Sequence, residues 1–176
     1  MHDELYDVVD RNGKKIGTAS WAECHEKGLL HQTAGVFVFK DSSKQELLVQ
    51  LRSGTMSHSP GLLQHSAGGH IVARQTPEEG IRSELQEELF SGHDLPALHI
   101  EKVSSFFHND FPGNNEIFHI FETVYPGPFF YSKQELAEPP RWMRWDALRE
   151  DMKTHPKKYA PSFHFAMKEY LHAKDL

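Results

Sequence analysis

The spacing of apolar and polar positions predicts a chain in which short strands alternate with helices. The apolar runs at 34–39 and 46–51 have the length of buried strands, and the polar turn at 41–44 separates them. A turn that ends in Asn12-Gly13 is typical of a β-hairpin. The predicted strands are 5–9, 15–19, 34–39, 46–51, 103–107, 116–125 and 141–145, and the longest predicted loops are 53–66 and 126–140.

Sequence patterns that predict helices occur between these strands. A Ser or Thr followed by Glu three residues later forms a capping box, and the chain has one at Ser20 and another at Thr76. Gly28 is expected to end the first helix, and Asp146 to cap a short later one. The last helix has an apolar stripe at helical spacing, which we expect to lie in the core: Phe163, Ala166, Met167, Tyr170 and Leu171.

This alternation predicts an α/β fold, with a mixed sheet covered by helices. We expect one domain over residues 1–176, in which residues 1–30 form an N-terminal hairpin and short-helix extension. The chain has 176 residues with 38% hydrophobic content, which suits a single globular domain with a full core.

The composition of the chain limits the kinds of molecule that it is expected to bind. A net charge of −6 argues against a general nucleic-acid or membrane-surface binder, so a phosphorylated small molecule would depend on local cations and metal. No apolar run approaches the length of a membrane span, and the first residues lack the pattern of a signal peptide. The single cysteine, Cys24, excludes an intramolecular disulfide. These features predict a cytoplasmic protein.

The helix after Thr76 has two distinct faces. Its apolar stripe consists of Ile81, Leu85 and Leu89. Glu84, Glu87 and Glu88 share a different face, where like charges repel one another by roughly 0.2–0.5 kcal/mol per pair. A solvated acidic surface is the plain interpretation of such a face. The alternative is a site for Mg²⁺, which takes oxygen ligands and is usually shared with substrate phosphates.

The segment around this helix resembles the Nudix box, G-x5-E-x7-R-E-U-x-E-E-x-G-U, in which U is aliphatic. It matches at Gly69, Glu84, Leu85, Glu87 and Glu88, and it departs at Gln75, Ser83, Phe90 and Ser91. The resemblance implies an α/β/α sandwich and a metal site of Mg²⁺ or Mn²⁺ on Glu84, Glu87 and Glu88. It also implies hydrolysis of a nucleoside diphosphate linked to another moiety, X.

Two of the departures fall together. In the family, the positions of Gln75 and Ser83 are normally an acid and a base that hold the loop against the helix. A neutral pair is expected to hold the loop less firmly. Arg82 points about 100° away on the helix and cannot simply substitute for the missing base.

From about residue 5 to about residue 150 the chain resembles one branch of the Nudix family, the isopentenyl-diphosphate isomerases and their hydrolase-like relatives. The isomerases place a metal on three histidines and two glutamates. At these positions the chain offers His25 or His31, His70 and Glu116, while Asn114 stands where the other glutamate would be. Whether the histidines form a second metal site is left open by the sequence.

Half of the isomerase apparatus is missing at the matching positions. Gly68 stands where the isomerase cysteine belongs, and the neutral Met56 and Ser57 stand near two lysines that meet the diphosphate. Isomerisation needs an acid on one face of the alkene and a base on the other. Hydrolysis needs metal carboxylates and an activated water, and is therefore favoured. An isomerase-like enzyme and a non-catalytic binding module remain the alternatives.

In the predicted hydrolase, Glu87 or Glu116 takes the proton from water, and Arg52 and Arg74 contact phosphate oxygens. The residues expected to bind substrate are Arg52, Gly69, His70 and Arg74. The moiety X is expected to contact the loops 53–66 and 109–115. A stacking surface for a base could be supplied by Phe106, Phe107, Phe111 and Phe118, but core packing is favoured for at least two of them. Loops that could face a pocket are flanked by His58, His65 and His108, which are not expected to be ligands.

Overall fold

The computed structural model describes residues 4–109 and 112–176, and within them the chain forms a hairpin, a seven-stranded mixed sheet and four α-helices. The strands are β1 Leu5–Val9, β2 Lys15–Ser20, β3 His31–Phe39, β4 Glu46–Leu51, β5 Leu63–Gln64, β6 Ala67–His70, β7 Glu101–His108, β8 Glu116–Val124 and β9 Arg141–Arg144. The helices are α1 Trp21–Lys27, α2 Pro77–Glu88, α3 Trp145–Thr154 and α4 Pro161–Ala173. Phe111, one of the aromatic residues singled out above, lies outside the described residues.

Strand β3 lies at the centre of the sheet. The order is β5-β4-β3-β8-β7, with β6 also paired to β3 and β9 to β4. β3 runs parallel to β8 and antiparallel to β4 and β6. The register places His31 opposite Glu116 on β8, and Thr33 opposite His70 on β6. Residues far apart in sequence therefore meet at one end of β3.

Helices cover both faces of this sheet. Phe37 and Phe39 pack in one core cluster with α3 and α4, whereas Val36 and Val38 pack in a second cluster with α2. Successive residues of a strand point to opposite faces, so an unbroken apolar run is what a strand buried on both sides requires. The predicted α/β/α sandwich with a mixed sheet is confirmed.

The N-terminal hairpin is a separate two-stranded sheet with its own small apolar cluster. The Ser20 hydroxyl accepts from the Glu23 backbone, and the Glu23 carboxylate accepts from the Ser20 backbone, so the predicted capping box begins α1. Gly28 ends the helix with a φ of 62°, which glycine adopts without steric cost. The predicted hairpin and short helix are therefore present.

Three local predictions were wrong. β3 begins at His31 rather than at 34, because its polar first residues gain partners on β6 and β8 that no local pattern reveals. The segment predicted as loop and glycine turn contains β5 and β6. Arg144, and not Asp146, is the N-cap of α3; Asp146 lies in its first turn and pairs with Arg144 at 2.8 Å. In the described parts of the chain, every helix is too short or too polar to cross a membrane.

Candidate functional site

One cavity of about 720 Å³ gathers most of the residues singled out in the sequence. It lies between the N-terminal region, β6, α2 and the end of β8. Helix α2 reaches it because Thr76 and Glu79 form the predicted capping box and because Ile81, Leu85 and Leu89 are fully buried. Because the apolar face of α2 turns towards the core, the other face of the helix carries Glu84, Glu87 and Glu88 into the lining of the cavity.

Gly69 provides space for the first of these carboxylates. A Cβ at this position would lie 2.6 Å from Glu84 Oε2, which is closer than side chains tolerate. The glycine thus acts on the site through Glu84 packing. Its predicted contact with substrate stays a prediction.

Glu88 is the most deeply buried of the three carboxylates, at 4% exposure. Its Oε2 accepts hydrogen bonds from Gln50 Nε2 at 3.0 Å and from the Gly68 backbone N–H at 3.1 Å. Burial nevertheless raises the pKa of Glu88 to about 7. Burial, followed by the charges of Glu88 and Glu87, raises the pKa of Glu84 well above its usual range. Burial also raises the pKa of the more exposed Glu87. The fold therefore disfavours the ionised form of all three carboxylates, and a divalent cation is a partner that would favour it.

The neutral pair in the box makes direct contact. Gln75 Nε2 donates to Ser83 Oγ at 3.0 Å, so a hydrogen bond joins the loop to α2 where the family has an acid and a base. Arg82 pairs with Glu78 at 3.0 Å and also donates to the Leu98 carbonyl, away from the loop. It therefore does not replace the missing base, as predicted.

Three members of a second group of potential ligands, His25, His70 and Glu116, line the same cavity, and the fourth member, His31, is fully buried next to them. One ligand atom from each of His25, His31, His70 and Glu116 lies within 4.8 Å of the other three. Within residues 4–109 and 112–176, these four residues form a group whose ligand atoms are close enough to share one metal ion, whereas Glu84, Glu87 and Glu88 do not form such a group. The sequence left His25 and His31 as alternatives, and the structure brings both together. Three imidazoles and one carboxylate are donors that suit Zn²⁺ and other transition metals.

The ring orientations of two of these histidines are fixed by the backbone. His25 Nδ1 lies 3.0 Å from the Trp21 carbonyl, and His31 Nδ1 lies 2.8 Å from the Leu29 carbonyl. A carbonyl only accepts, so each Nδ1 carries the proton and each Nε2 keeps its lone pair. Metal-binding histidines are commonly held in this way.

Glu116 uses its two oxygens differently. Oε2 is 3.0 Å from His108 Nδ1 and 3.3 Å from Thr33 Oγ1, within hydrogen-bonding range. Oε1 is 3.5 Å from His70 Nε2 and 3.8 Å from His31 Nε2, which is too far for good hydrogen bonds. Burial acts to raise the pKa of Glu116, but the bonds and charges of the histidines outweigh it and hold the pKa far below its usual range. The lowered pKa makes Glu116 better suited to bind a cation than to take a proton.

The two predicted arginines differ in position. Arg52 lines the cavity, and its guanidinium donates to the His58 carbonyl and to Gln64 Oε1, both at 2.9 Å. Arg74 is exposed and does not line the cavity, and its backbone N–H donates to Asp7. Contact of either side chain with phosphate stays a prediction, and the structure favours Arg52.

Gly68, at the position of the isomerase cysteine, leaves no room for a side chain. A Cβ there would clash with the Ala34 carbonyl oxygen and would lie 2.5 Å from His65 Nε2. Met56 and Ser57 line the cavity and present no charge. His65 itself is a cavity residue that the sequence did not single out as functional.

Other residues that line the cavity or bond to its carboxylates were also missed. Gln50 is a polar residue inside the apolar strand β4, and that break in the pattern is the one signal that pointed to it. Gln64 lay in a segment predicted as loop. Phe118 lines the cavity, whereas Phe107 is exposed and Phe106 packs against the core.

The fold and the site define a class of protein: an α/β/α domain in which an acidic helix and a histidine-glutamate cluster meet at one cavity. The model of the NUDIX domain family matches residues 29–163. The chain belongs to the Nudix family, and the predicted Nudix-type hydrolase domain is confirmed at that level.

Two relatives are similar to the chain in sequence, and one solved structure is similar in fold. It is 37% identical over 127 residues to isopentenyl-diphosphate Delta-isomerase 2 of Photorhabdus laumondii, covering 72% of this chain and 68% of that one. It is 32% identical over 123 residues to a protein of Clostridium acetobutylicum named as an uncharacterised Nudix hydrolase, covering 69% and 59%. The crystal structure of DR0079 from Deinococcus radiodurans has a TM-score of 0.74 at 19% identity, covering 94% and 97%, and this shows the shared fold.

Proposed function

We propose that the protein is a divalent-metal-dependent hydrolase that cleaves the diphosphate linkage of a nucleoside diphosphate joined to a moiety X. The observation that carries this proposal is the convergence of Glu84, Glu87 and Glu88 on one cavity with their pKa values raised. Such buried negative charge is costly unless a cation compensates it. Mg²⁺ and Mn²⁺ accept carboxylate ligands and share them with phosphate oxygens.

In this proposal the residues of the chain have separate roles. Glu84 and Glu88 hold the cation, which when bound offsets the charge of the diphosphate and lowers the pKa of a water. Glu87 is exposed to the cavity and has a raised pKa, so it accepts the proton of the attacking water. Arg52 contributes positive charge to the cavity, and His58 and Gln64 hold its guanidinium in place.

We further propose that His25, His31, His70 and Glu116 bind a second divalent ion of the transition series. The support is the donor set, the two fixed imidazoles, and the 3.5–3.8 Å gaps around Glu116 Oε1. A bound ion would give the Nε2 atoms of His31 and His70 the partner that the described residues do not provide. In this proposal Glu116 is a ligand, and the proton passes to Glu87.

The second candidate function is isomerisation of isopentenyl diphosphate. It is favoured by the histidine-glutamate group and by the isomerase among the relatives. The crowded Gly68 opposes it, because a proton-donating side chain has no space there. Hydrolysis is therefore the proposed activity.

A substrate panel with matched variants tests the proposal. The wild type is incubated with nucleotide sugars, dinucleoside polyphosphates, nucleoside diphosphates and isopentenyl diphosphate, with Mg²⁺ and with EDTA. Glu87→Gln should lower Mg²⁺-dependent cleavage by roughly 10²–10⁴-fold, which is the usual contribution of a general base. Glu78→Gln is the control, since Glu78 lies on the same helix but is exposed and pairs with Arg82.

Two outcomes would overturn the hydrolase. Equal rates for Glu87→Gln and Glu78→Gln would remove Glu87 from the chemistry. If the wild type cleaves no member of the panel at high enzyme concentration, yet binds one of them with micromolar affinity, the protein is a binding module with a Nudix fold.

A further inference from the structure

A groove of about 830 Å³ lies between the last two helices, away from the candidate site. Its lining comes from α3, from the short segment Pro156–Lys158 and from α4. Within the described parts of the chain, it shares no lining residue with the cavity of the box carboxylates. The proposed hydrolase therefore gives this groove no role.

The floor of the groove is apolar. Met152 on α3 and Met167 on α4 are each 5% exposed, and Leu171 is half-buried one turn after Met167. Methionine is unbranched and adapts to differently shaped apolar partners. This floor is therefore suited to an apolar ligand surface.

Both helices add positive charge around this floor. Arg149 and Lys153 line the groove from α3, and Lys168 lines it from α4. Arg149 and Lys153 lie four residues apart on one helix face, where like charges repel each other. Among the lining residues in the described chain, Glu169 is the one acid. A negatively charged ligand would offset this repulsion.

These three cations differ from others in the same region. Arg144, Lys158 and Lys174 each form an ion pair with a carboxylate. In residues 4–109 and 112–176, Arg149, Lys153 and Lys168 have no such partner within 4.0 Å. Their charge is therefore available to a ligand.

The surrounding segment is basic, although the chain as a whole is acidic. Residues 141–176 contain eight Lys and Arg against five Asp and Glu, whereas the whole chain contains 19 against 25. The potential of such a local basic patch steers an acidic ligand towards it and away from the acidic remainder of the surface.

The distribution of charge indicates the shape of the ligand. Cations line the groove from both helices, and on α4 the lining extends from His164 to His172, which is roughly 12 Å of helix. A fatty acid has a single charged head and would leave most of these cations unpaired. An amphipathic helix with an apolar stripe and acidic residues on both flanks matches the whole pattern.

We propose that the groove between α3 and α4 docks an acidic amphipathic helix of a partner protein. Apolar residues of that helix at i, i+4 and i+7 contact Met152, Met167 and Leu171, and flanking Asp or Glu residues face Arg149, Lys153 and Lys168. This interaction surface does not depend on the proposed hydrolase activity.

Fluorescence anisotropy with three labelled peptides of roughly 15 residues tests the docking, since this length gives about four helical turns. All three have leucines at i, i+4 and i+7, and their flanking residues are Glu, Gln or Lys, with Ala elsewhere. The wild type should bind the Glu peptide about tenfold more tightly than the Gln peptide and should not bind the Lys peptide. This preference should disappear in about 1 M salt, where charges are screened beyond about 3 Å.

Variants of the chain locate the binding. Lys153→Gln combined with Lys168→Gln should bind the Glu peptide about tenfold more weakly, because two charge contacts are lost. The control combines Lys14→Gln with Lys133→Gln, which removes the same charge from two exposed lysines outside the groove, and it should bind like the wild type. All four lysines are exposed, so both double variants should unfold like the wild type.

The floor is tested separately by Leu171→Gln, which should weaken binding of the Glu and Gln peptides alike. If this variant unfolds at a lower temperature than the wild type, the comparison of the two lysine double variants still decides the result. Docking of an acidic helix is overturned if the Glu peptide binds no more tightly than the Gln peptide, or if the two double variants bind it equally.

Other occupants would replace the partner helix. Dodecanoate that binds more tightly than the Glu peptide, and more weakly to the Lys153/Lys168 double variant, would make the groove a site for a small amphiphile. Phosphatidylglycerol vesicles that bind the wild type but not this double variant would make it a membrane contact. A dimer in analytical ultracentrifugation that Leu171→Gln dissociates would make the occupant a second copy of the chain.

Discussion

Glu88→Gln is expected to stabilise the metal-free protein above neutral pH. Burial raises the pKa of Glu88 from 4.5 to about 7 in the folded chain. Between these values the folded protein keeps a proton that the unfolded chain has lost, so the free energy of unfolding falls as the pH rises. A pKa shift of about 2.5 units destabilises the folded wild type by ~3 kcal/mol. This destabilisation is fully present above pH 7 and absent below about pH 4.5.

Glutamine cannot ionise, and its Oε1 can still accept from Gln50 and Gly68. In EDTA at pH 8 the variant should therefore gain up to ~3 kcal/mol, or roughly 6–12 °C in Tm for a chain of this size. At pH 4 the two proteins should unfold alike. Adding Mg²⁺ at a thousandfold excess over Kd should reverse the order at pH 8, because binding then stabilises the wild type by ~4.1 kcal/mol by mass action.

Thermal and urea unfolding from pH 4 to pH 8, with and without Mg²⁺, measure these differences. Glu78→Gln is the matched control, and as an exposed change it should stay within about 0.5 kcal/mol at every pH. A Glu88→Gln protein that is no more stable than the wild type at pH 8 in EDTA would refute the buried-charge argument. Equal Mg²⁺ affinity in both would remove Glu88 from the metal site.

Three further outcomes are expected. Gly69→Ala should lose about 1–3 kcal/mol of stability and bind Mg²⁺ more weakly, because its Cβ would press on the Glu84 carboxylate, whereas Gly54→Ala, with open space around it, should unfold and bind like the wild type. His31→Gln should lower the zinc or manganese retained after dialysis, as measured by elemental analysis; an unchanged metal content would contradict the second site. Incubation of the wild type with isopentenyl diphosphate should give no dimethylallyl diphosphate by NMR, and detection of that product would overturn the choice of hydrolase. Gly68→Cys should not create the isomerase activity, because a cysteine side chain has no space at this position.

The acidic helix was readable from sequence because its signals are local. The capping box at Thr76, the stripe of Ile81, Leu85 and Leu89, and the three glutamates between them all lie within one short segment. Helical geometry alone then assigns each residue to a face. The capped α1 and the first hairpin were predicted for the same reason.

The short strands were not readable in the same way. β5 has two residues and β6 contains two glycines, so neither has an apolar pattern of its own. Their pairing with β4 and β3 depends on backbone hydrogen bonds to distant segments. β-structure of this kind is decided by tertiary partners more than by local preference.

The sequence by itself determined the fold class, the position and face of the acidic helix, and the family to which the chain belongs. The tertiary structure alone decided that His25 and His31 both join His70 and Glu116. The register of β3 with β8 sets His31 opposite Glu116, and the register of β3 with β6 brings His70 to the same end of β3. It also decided that Gln64 and His65 share a cavity with Glu88, and that Gly68 has no room for a side chain. Faces of one helix follow from the spacing of residues along it, whereas the meeting of segments far apart follows from the packing of the whole sheet.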